Sequence, residues 1–182
     1  MPMHSPDPDG DKLIAFYSGI APDSRGRLLA DVWALGVDEL ESAHDYIQWL
    51  FPLYDVSRAQ PDSPVLSLRA AEVIGGSNDM RERLVRSAEV MAFFYGFAIV
   101  RQGDLWTVVL ADNFESHRRH WLTPGNHNYL RHTRIMKSLT ILGFEPLARA
   151  WFECLDGIFT SNQQLIGAET HRYWKNAIRV AA

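Results

Sequence analysis

Apolar residues recur at spacings of three and four along most of the chain, the period of an α-helix buried on one face. Leu40, Ala43, Ile47 and Leu50 form one such face. Asp38 is placed to cap it, with Glu41 three positions on as an acidic capping box, so one helix is predicted over 38–51, ended by Pro52. Ser67 caps a short helix over Leu68–Ile74, and Gly75-Gly76 reads as a break. Ser77 or Asn78 then opens a helix to about Phe97. Its seam of Leu84, Ala88, Met91 and Tyr95 is flanked by Val90, Phe93 and Phe94, so it is predicted to be buried nearly all round. The stretch 99–109 differs: two β-branched runs flank Gln102-Gly103-Asp104, which predicts a short β-hairpin. Helical periodicity resumes near Asp112 and again after Pro124-Gly125 through Leu142. Pro146 then suits the first turn of a helix carrying Trp151, Phe152, Leu155 and Phe159. A last helix, about 162–178, carries Leu165, Ile166, Tyr173 and Trp174. The fold class is mostly α: a single-domain helical bundle of about six to seven helices over 13–182, with one short hairpin near 99–109.

Composition narrows the function classes. With 182 residues, 47% hydrophobic and 22% charged, global disorder is excluded. Residues 1–12, with three Pro and three Asp, read as a disordered tail and not as a signal peptide. The one cysteine, Cys154, cannot form an internal disulfide, which favours a reducing, cytoplasmic setting. A net charge of −4 makes no strong case for nucleic acid. No run reaches the roughly 20 apolar residues of a transmembrane segment. Oligomeric state is not legible.

Two polar lines interrupt the apolar pattern. Glu41, His44, Asp45 and Gln48 share a flank of the helix predicted over 38–51. His127, Arg131, Arg134 and Ser138, spaced by four, three and four, share a flank of the helix after Pro124. That second helix also carries Tyr129, Ile135, Met136, Leu139 and Leu142 on one arc, with Leu130 and Ile141 on another. It should therefore pack between neighbours, with its arginines at a seam where an unpaired guanidinium is costly. Two readings stay open. Acid line and base line pair as a structural seam, or the eight residues line a pocket for a short peptide or a small anionic ligand.

These segments carry a family resemblance. The run His44–Pro52, HDYIQWLFP, resembles a signature of the opioid growth factor receptor conserved domain. The run His127–Leu139, HNYLRHTRIMKSL, is similar to that family's second signature, departing at His132, where the family has Ile, and at Met136, where it has Leu. Phe94-Tyr95-Gly96 and Gly143-Phe144-Glu145 also fit, and the order holds across roughly 14–155. The resemblance implies a receptor-like domain, associated in animals with binding a short opioid peptide and with nuclear or perinuclear location. It brings no catalytic residues.

Other constellations are weaker. His117 and His120 could share a metal, but no acidic residue completes a familiar spacing, so no metal is expected. The adjacent His44-Asp45 supports an alternative, an enzyme of the helical HD-like hydrolase kind acting on a phosphorylated or carboxylated small molecule, although further ligands cannot be assigned. Cys154 sits among Trp151 and Leu155 and reads as packing. No phosphate loop or cofactor motif is present, so no cofactor is expected. The reading is a noncatalytic ligand- or peptide-binding or interaction module.

Overall fold

Capping side chains open α1 and α5, and glycines at positive φ set several of the other element ends. The computed structural model describes residues 6–179, which form eleven α-helices and one two-stranded antiparallel hairpin. They fall into two compact units, divided between Arg83 and Leu84.

In the first unit α1 spans Pro8–Tyr17, α2 Leu29–Trp33, α3 Val37–Ser42, α4 Ile47–Leu50 and α5 Leu68–Gly76. Residues 8–12, read as tail from the sequence, are the first turn of α1; residues 1–5 of that stretch lie outside the described residues. The reason is a cap. The Asp7 carboxylate accepts the Gly10 N–H at 3.0 Å and the Ser67 hydroxyl at 2.6 Å, and Arg69 bridges Asp7 and Asp11. Ser67 in turn caps α5 by accepting the Ala70 N–H at 3.0 Å, and α1 packs on α5. The Gly75-Gly76 pair does not break α5; both residues stay helical. The core gathers Leu13, Phe16, Tyr17, Trp49 and Leu50, with the Phe16 and Trp49 rings 5.2 Å apart.

The helix predicted over 38–51 is two helices, α3 and α4, separated by residues 43–46. Ala43 is extended (φ −81°, ψ 134°), and the Tyr46 hydroxyl donates to the Leu40 carbonyl at 2.9 Å, across the break. Periodicity survived the break because Tyr46, Ile47, Trp49 and Leu50 are all buried, so the apolar count looked continuous.

The helix α6, Asn78–Tyr95, contains the boundary between the units. The second unit continues with β1 Phe97–Gln102, β2 Leu105–Leu110, α7 Phe114–His117, a 3-10 turn Arg118–His120, α8 Asn128–Ile141, α9 Glu145–Ser161, α10 Gln163–Ile166 and α11 Ala168–Ala177. Gly96 (φ +79°) ends α6 and Gly103 (φ +62°) turns the hairpin, which pairs Phe97 with Leu110 through Gln102 with Leu105. The strand β2 lies on α9, and α8 packs against α9 and α11. The last predicted helix is also in two pieces, because Gly167 adopts φ +82° between α10 and α11. Two expectations of burial fail on the surface. Phe93 on α6 is 59% exposed, and Leu130 on α8 is 70% exposed, so α6 is not buried all round, and of the second apolar arc of α8 only Ile141 is half-buried. The core of this unit is aromatic, with Tyr95, Trp121, Trp151 and Trp174 fully buried.

Candidate functional site

In the first unit, the first predicted line is distributed over α3, the break and α4. Glu41 is half-buried on α3, His44 is exposed and Asp45 is half-buried in the break, and Gln48 is buried on α4. Asp45 is fully engaged. Its Oδ2 accepts from Arg25 Nε at 2.6 Å and its Oδ1 from Arg27 Nη2 at 2.7 Å. Arg27 also pairs with Asp23 at 2.7 Å, and the buried Asp23 accepts the backbone N–H of Arg25 at 2.8 Å and of Arg27 at 3.0 Å. Two carboxylates thus hold the loop 23–27 by its guanidinium groups and its backbone. Burial pushes the Asp45 carboxyl up, but the bonds and charges of Arg27 and Arg25 outweigh it and hold the group below the ordinary carboxylate range. Arg27 is shifted the other way: burial disfavours its charge, and Asp23 and Asp45 more than restore it.

Asp23, Arg25 and Arg27 were not singled out from the sequence. The available signal was the alternation D-x-R-x-R around Gly26 after Pro22, a turn whose acid sits two and four residues from the bases. With both oxygens of Asp45 bonded to guanidinium groups, the His44-Asp45 pair does not present the free carboxylate a metal needs. Among the described residues, no group of three or more His, Cys, Asp or Glu could hold a metal ion. Gln48 donates to Ser57 Oγ at 3.4 Å, while its Oε1 and the Trp49 Nε1 are buried and have no hydrogen-bond partner among the described residues.

In the second unit, α8 does place Arg131, Arg134 and Ser138 along one line, with exposed His127 just before the first turn. Arg131 is only 5% exposed and donates from Nη1 to Asn128 Oδ1 at 3.2 Å. Asn128 is itself fully buried. Its backbone N–H and its Nδ2 reach Asn126 Oδ1 at 2.9 and 3.0 Å, and the Tyr95 hydroxyl lies 3.4 Å from its Oδ1. Asn126 and Asn128 thereby fix the start of α8 and orient Arg131; the i, i+2 bond from Asn126 lies in the turn before the helix, which helical spacing does not disclose. Arg134 is half-buried. Ser138 is fully buried, and its Oγ has no hydrogen-bond partner among the described residues. A guanidinium on a half-buried residue such as Arg134 is of the kind that binds a carboxylate or phosphate through charge-assisted hydrogen bonds.

Fold and polar groups together define a mostly helical protein with one hairpin, none of whose described helices is long and apolar enough to cross a membrane. The chain belongs to the family described as the opioid growth factor receptor (OGFr) conserved region, which matches residues 18–182. It is similar to the opioid growth factor receptor of Rattus norvegicus, at 41% identity over 156 residues, covering 81% of this chain and 26% of that protein. Similarity to the Mus musculus receptor is 40% over 156 residues, covering 81% of this chain and 24% of that protein. The opioid growth factor receptor-like protein 1 of Mus musculus is 33% identical over 113 residues, covering 62% of this chain and 24% of that protein. The chain therefore spans about a quarter of the length of these curated relatives. No solved structure matches it.

Proposed function

We propose that the chain is a noncatalytic module that binds a short peptide or a small anionic ligand. The observation that carries this reading is the α8 line, in which Arg131 is buried, Arg134 is half-buried and His127 is exposed. In the second unit His127 and Arg134 are the ligand contacts, while Arg131 and Ser138 are buried on the same helix line. The Arg134 guanidinium donates to a carboxylate or phosphate, and an imidazole adds a further donor. In the first unit Asp45 holds Arg25, whose side chain is 69% exposed. The naming of the relatives as receptors favours a peptide over a metabolite. The one free cysteine suits a reducing compartment such as the cytoplasm.

The test is a thermal-shift panel on the wild type and Arg134→Ala. It uses inorganic phosphate, nucleotides, and short peptides with free or amidated C-termini. A ligand that binds only the folded state stabilises it by about 2.7 kcal/mol at a hundredfold excess over Kd. A concentration-dependent rise in the wild type, weakened in Arg134→Ala, is expected. Loss of the shift on amidation assigns the contact to the peptide carboxylate. A panel without any concentration-dependent shift sinks this reading.

A further inference from the structure

His132 lies on α8 next to Arg131 but is enclosed by the core of the second unit, with no exposed surface. Five aromatic rings surround it. Their centroids lie at 3.9 Å for Tyr95, 4.9 Å for Trp121, 5.8 Å for Trp174, 6.0 Å for Phe97 and 6.1 Å for Trp151. One hydrogen bond fixes the tautomer. Trp151 Nε1 lies 3.2 Å from His132 Nδ1, and an indole nitrogen can only donate. Nδ1 therefore accepts and carries no proton, so the ring hydrogen is on Nε2. That nitrogen is buried and has no hydrogen-bond partner among the described residues.

The groups around the ring offer a second proton no counter-charge. Tyr95 faces it from α6, Phe97 from β1, Trp121 from the segment after the 3-10 turn, Trp151 from α9 and Trp174 from α11. The charge acting on it is Arg131 on its own helix, of the same sign. Burial first, and then the Arg131 charge, hold the imidazole well below its ordinary range.

We propose that His132 is an acid trigger in the core of the second unit: a proton added at Nδ1 displaces the Trp151 hydrogen bond and opens the aromatic box. The site of protonation is forced, because Nε2 already carries its hydrogen. The new N–H and the Trp151 N–H then point at each other, donor against donor. Aromatic faces attract a desolvated cation, but the lost hydration of a buried charge costs more. Opening the box restores water to the imidazolium and leaves the aromatic core unpacked. One proton is taken up per molecule opened. Below about pH 6.5, each unit of pH shifts this equilibrium about tenfold towards the open form, until the folded state itself takes up the proton.

The experiment uses the full chain. Urea unfolding is followed by tryptophan fluorescence and near-UV circular dichroism from about pH 7.5 to about pH 4.5, for the wild type, His132→Phe and His132→Gln. Neither variant titrates at this position, and Gln keeps an acceptor for Trp151. Carboxylates contribute equally to all three proteins, so the difference isolates His132. Between about pH 6.5 and 5 the wild-type unfolding constant should rise about tenfold more per pH unit than that of either variant. Equal slopes in wild type and variants overturn the proposal. If neither variant folds, nitrogen NMR of wild-type His132 decides alone. Nδ1 should be unprotonated and should not titrate before the native signals disappear. A proton on Nδ1 at neutral pH, or a native-state titration near the ordinary histidine value, overturns it.

Discussion

At the scale of single residues, burial and one well-placed partner decide behaviour. Tyr17 is fully buried, and its hydroxyl donates to the Leu50 carbonyl at the end of α4. Burial pushes its phenol up from the ordinary value. The unfolded chain then releases this proton at lower pH than the folded one. Tyr17 stabilises the fold fully below about pH 10, and that contribution is lost as pH rises beyond it. Tyr17→Phe should cost about 1–2 kcal/mol at neutral pH, since the Leu50 carbonyl loses its donor. It should also flatten the alkaline loss of stability in urea titrations. A variant as stable as wild type, with the same alkaline limb, refutes this. Cys154 shows the same physics on α9. Burial pushes its thiol up to about 12, so about one molecule in ten thousand is thiolate at pH 8. Iodoacetamide should label it at least about a hundredfold faster in urea than in the native protein; equal rates refute the assignment. The sequence alone supported the packing role of Cys154, because its helical neighbours are apolar. It could not supply the partners of Asp45, because Arg25 and Arg27 come from a loop about twenty residues away and no local spacing links them.

At the scale of elements, turn chemistry is more decisive than propensity. Gly96 joins α6 to β1 at φ +79°, where a Cβ would lie 2.6 Å from the Phe114 Cα. Gly103, at φ +62° in the hairpin turn, has open space around it. Both alanine variants carry the left-handed backbone penalty of about 1 kcal/mol. Only Gly96→Ala adds a clash with main chain, worth about 1–3 kcal/mol more. Urea midpoints should therefore separate the two, with Gly96→Ala losing about 2–4 kcal/mol and Gly103→Ala about 1. Equal losses refute the close approach at Phe114. These elements also show what a sequence can and cannot disclose. The hairpin, α5, α8 and the proline-led α9 follow directly from periodicity and caps. The breaks at 43–46 and at Gly167 do not. An apolar face continues through them, and what ends the helices, an extended Ala43 with the Tyr46 bond to Leu40 and a Gly167 at positive φ, is not carried by apolar spacing. The exposure of Phe93 and Leu130 was hidden for a similar reason: a pattern ranks faces by polarity but does not say which apolar face has a neighbour.

At the scale of the whole molecule, chain length sets how strongly a local loss is felt. For a protein of 182 residues, 1 kcal/mol moves the melting temperature by about 2–4 °C. The two arginines of α8 differ in burial, and this predicts different responses. Arg131 is 5% exposed and bonded to the buried Asn128. Arg131→Ala removes a charged donor from a buried acceptor and the packing of a long aliphatic stem, a loss of about 2–4 kcal/mol. The expected fall in melting temperature is therefore about 4–16 °C. Arg134 is half-buried, so Arg134→Ala should cost about 1 kcal/mol or less, and a few degrees at most. Its larger effect should be on binding, because a half-exposed guanidinium can reach a ligand without the fold opening. Differential scanning calorimetry of both variants, with and without the strongest ligand of the panel, separates the roles. A large fall for Arg131→Ala beside a small fall and a lost ligand shift for Arg134→Ala is the expected pair. If Arg131→Ala melts with the wild type and only its ligand shift disappears, Arg131 belongs to the ligand instead of the fold, and the polar line of α8 is a binding surface along its whole length.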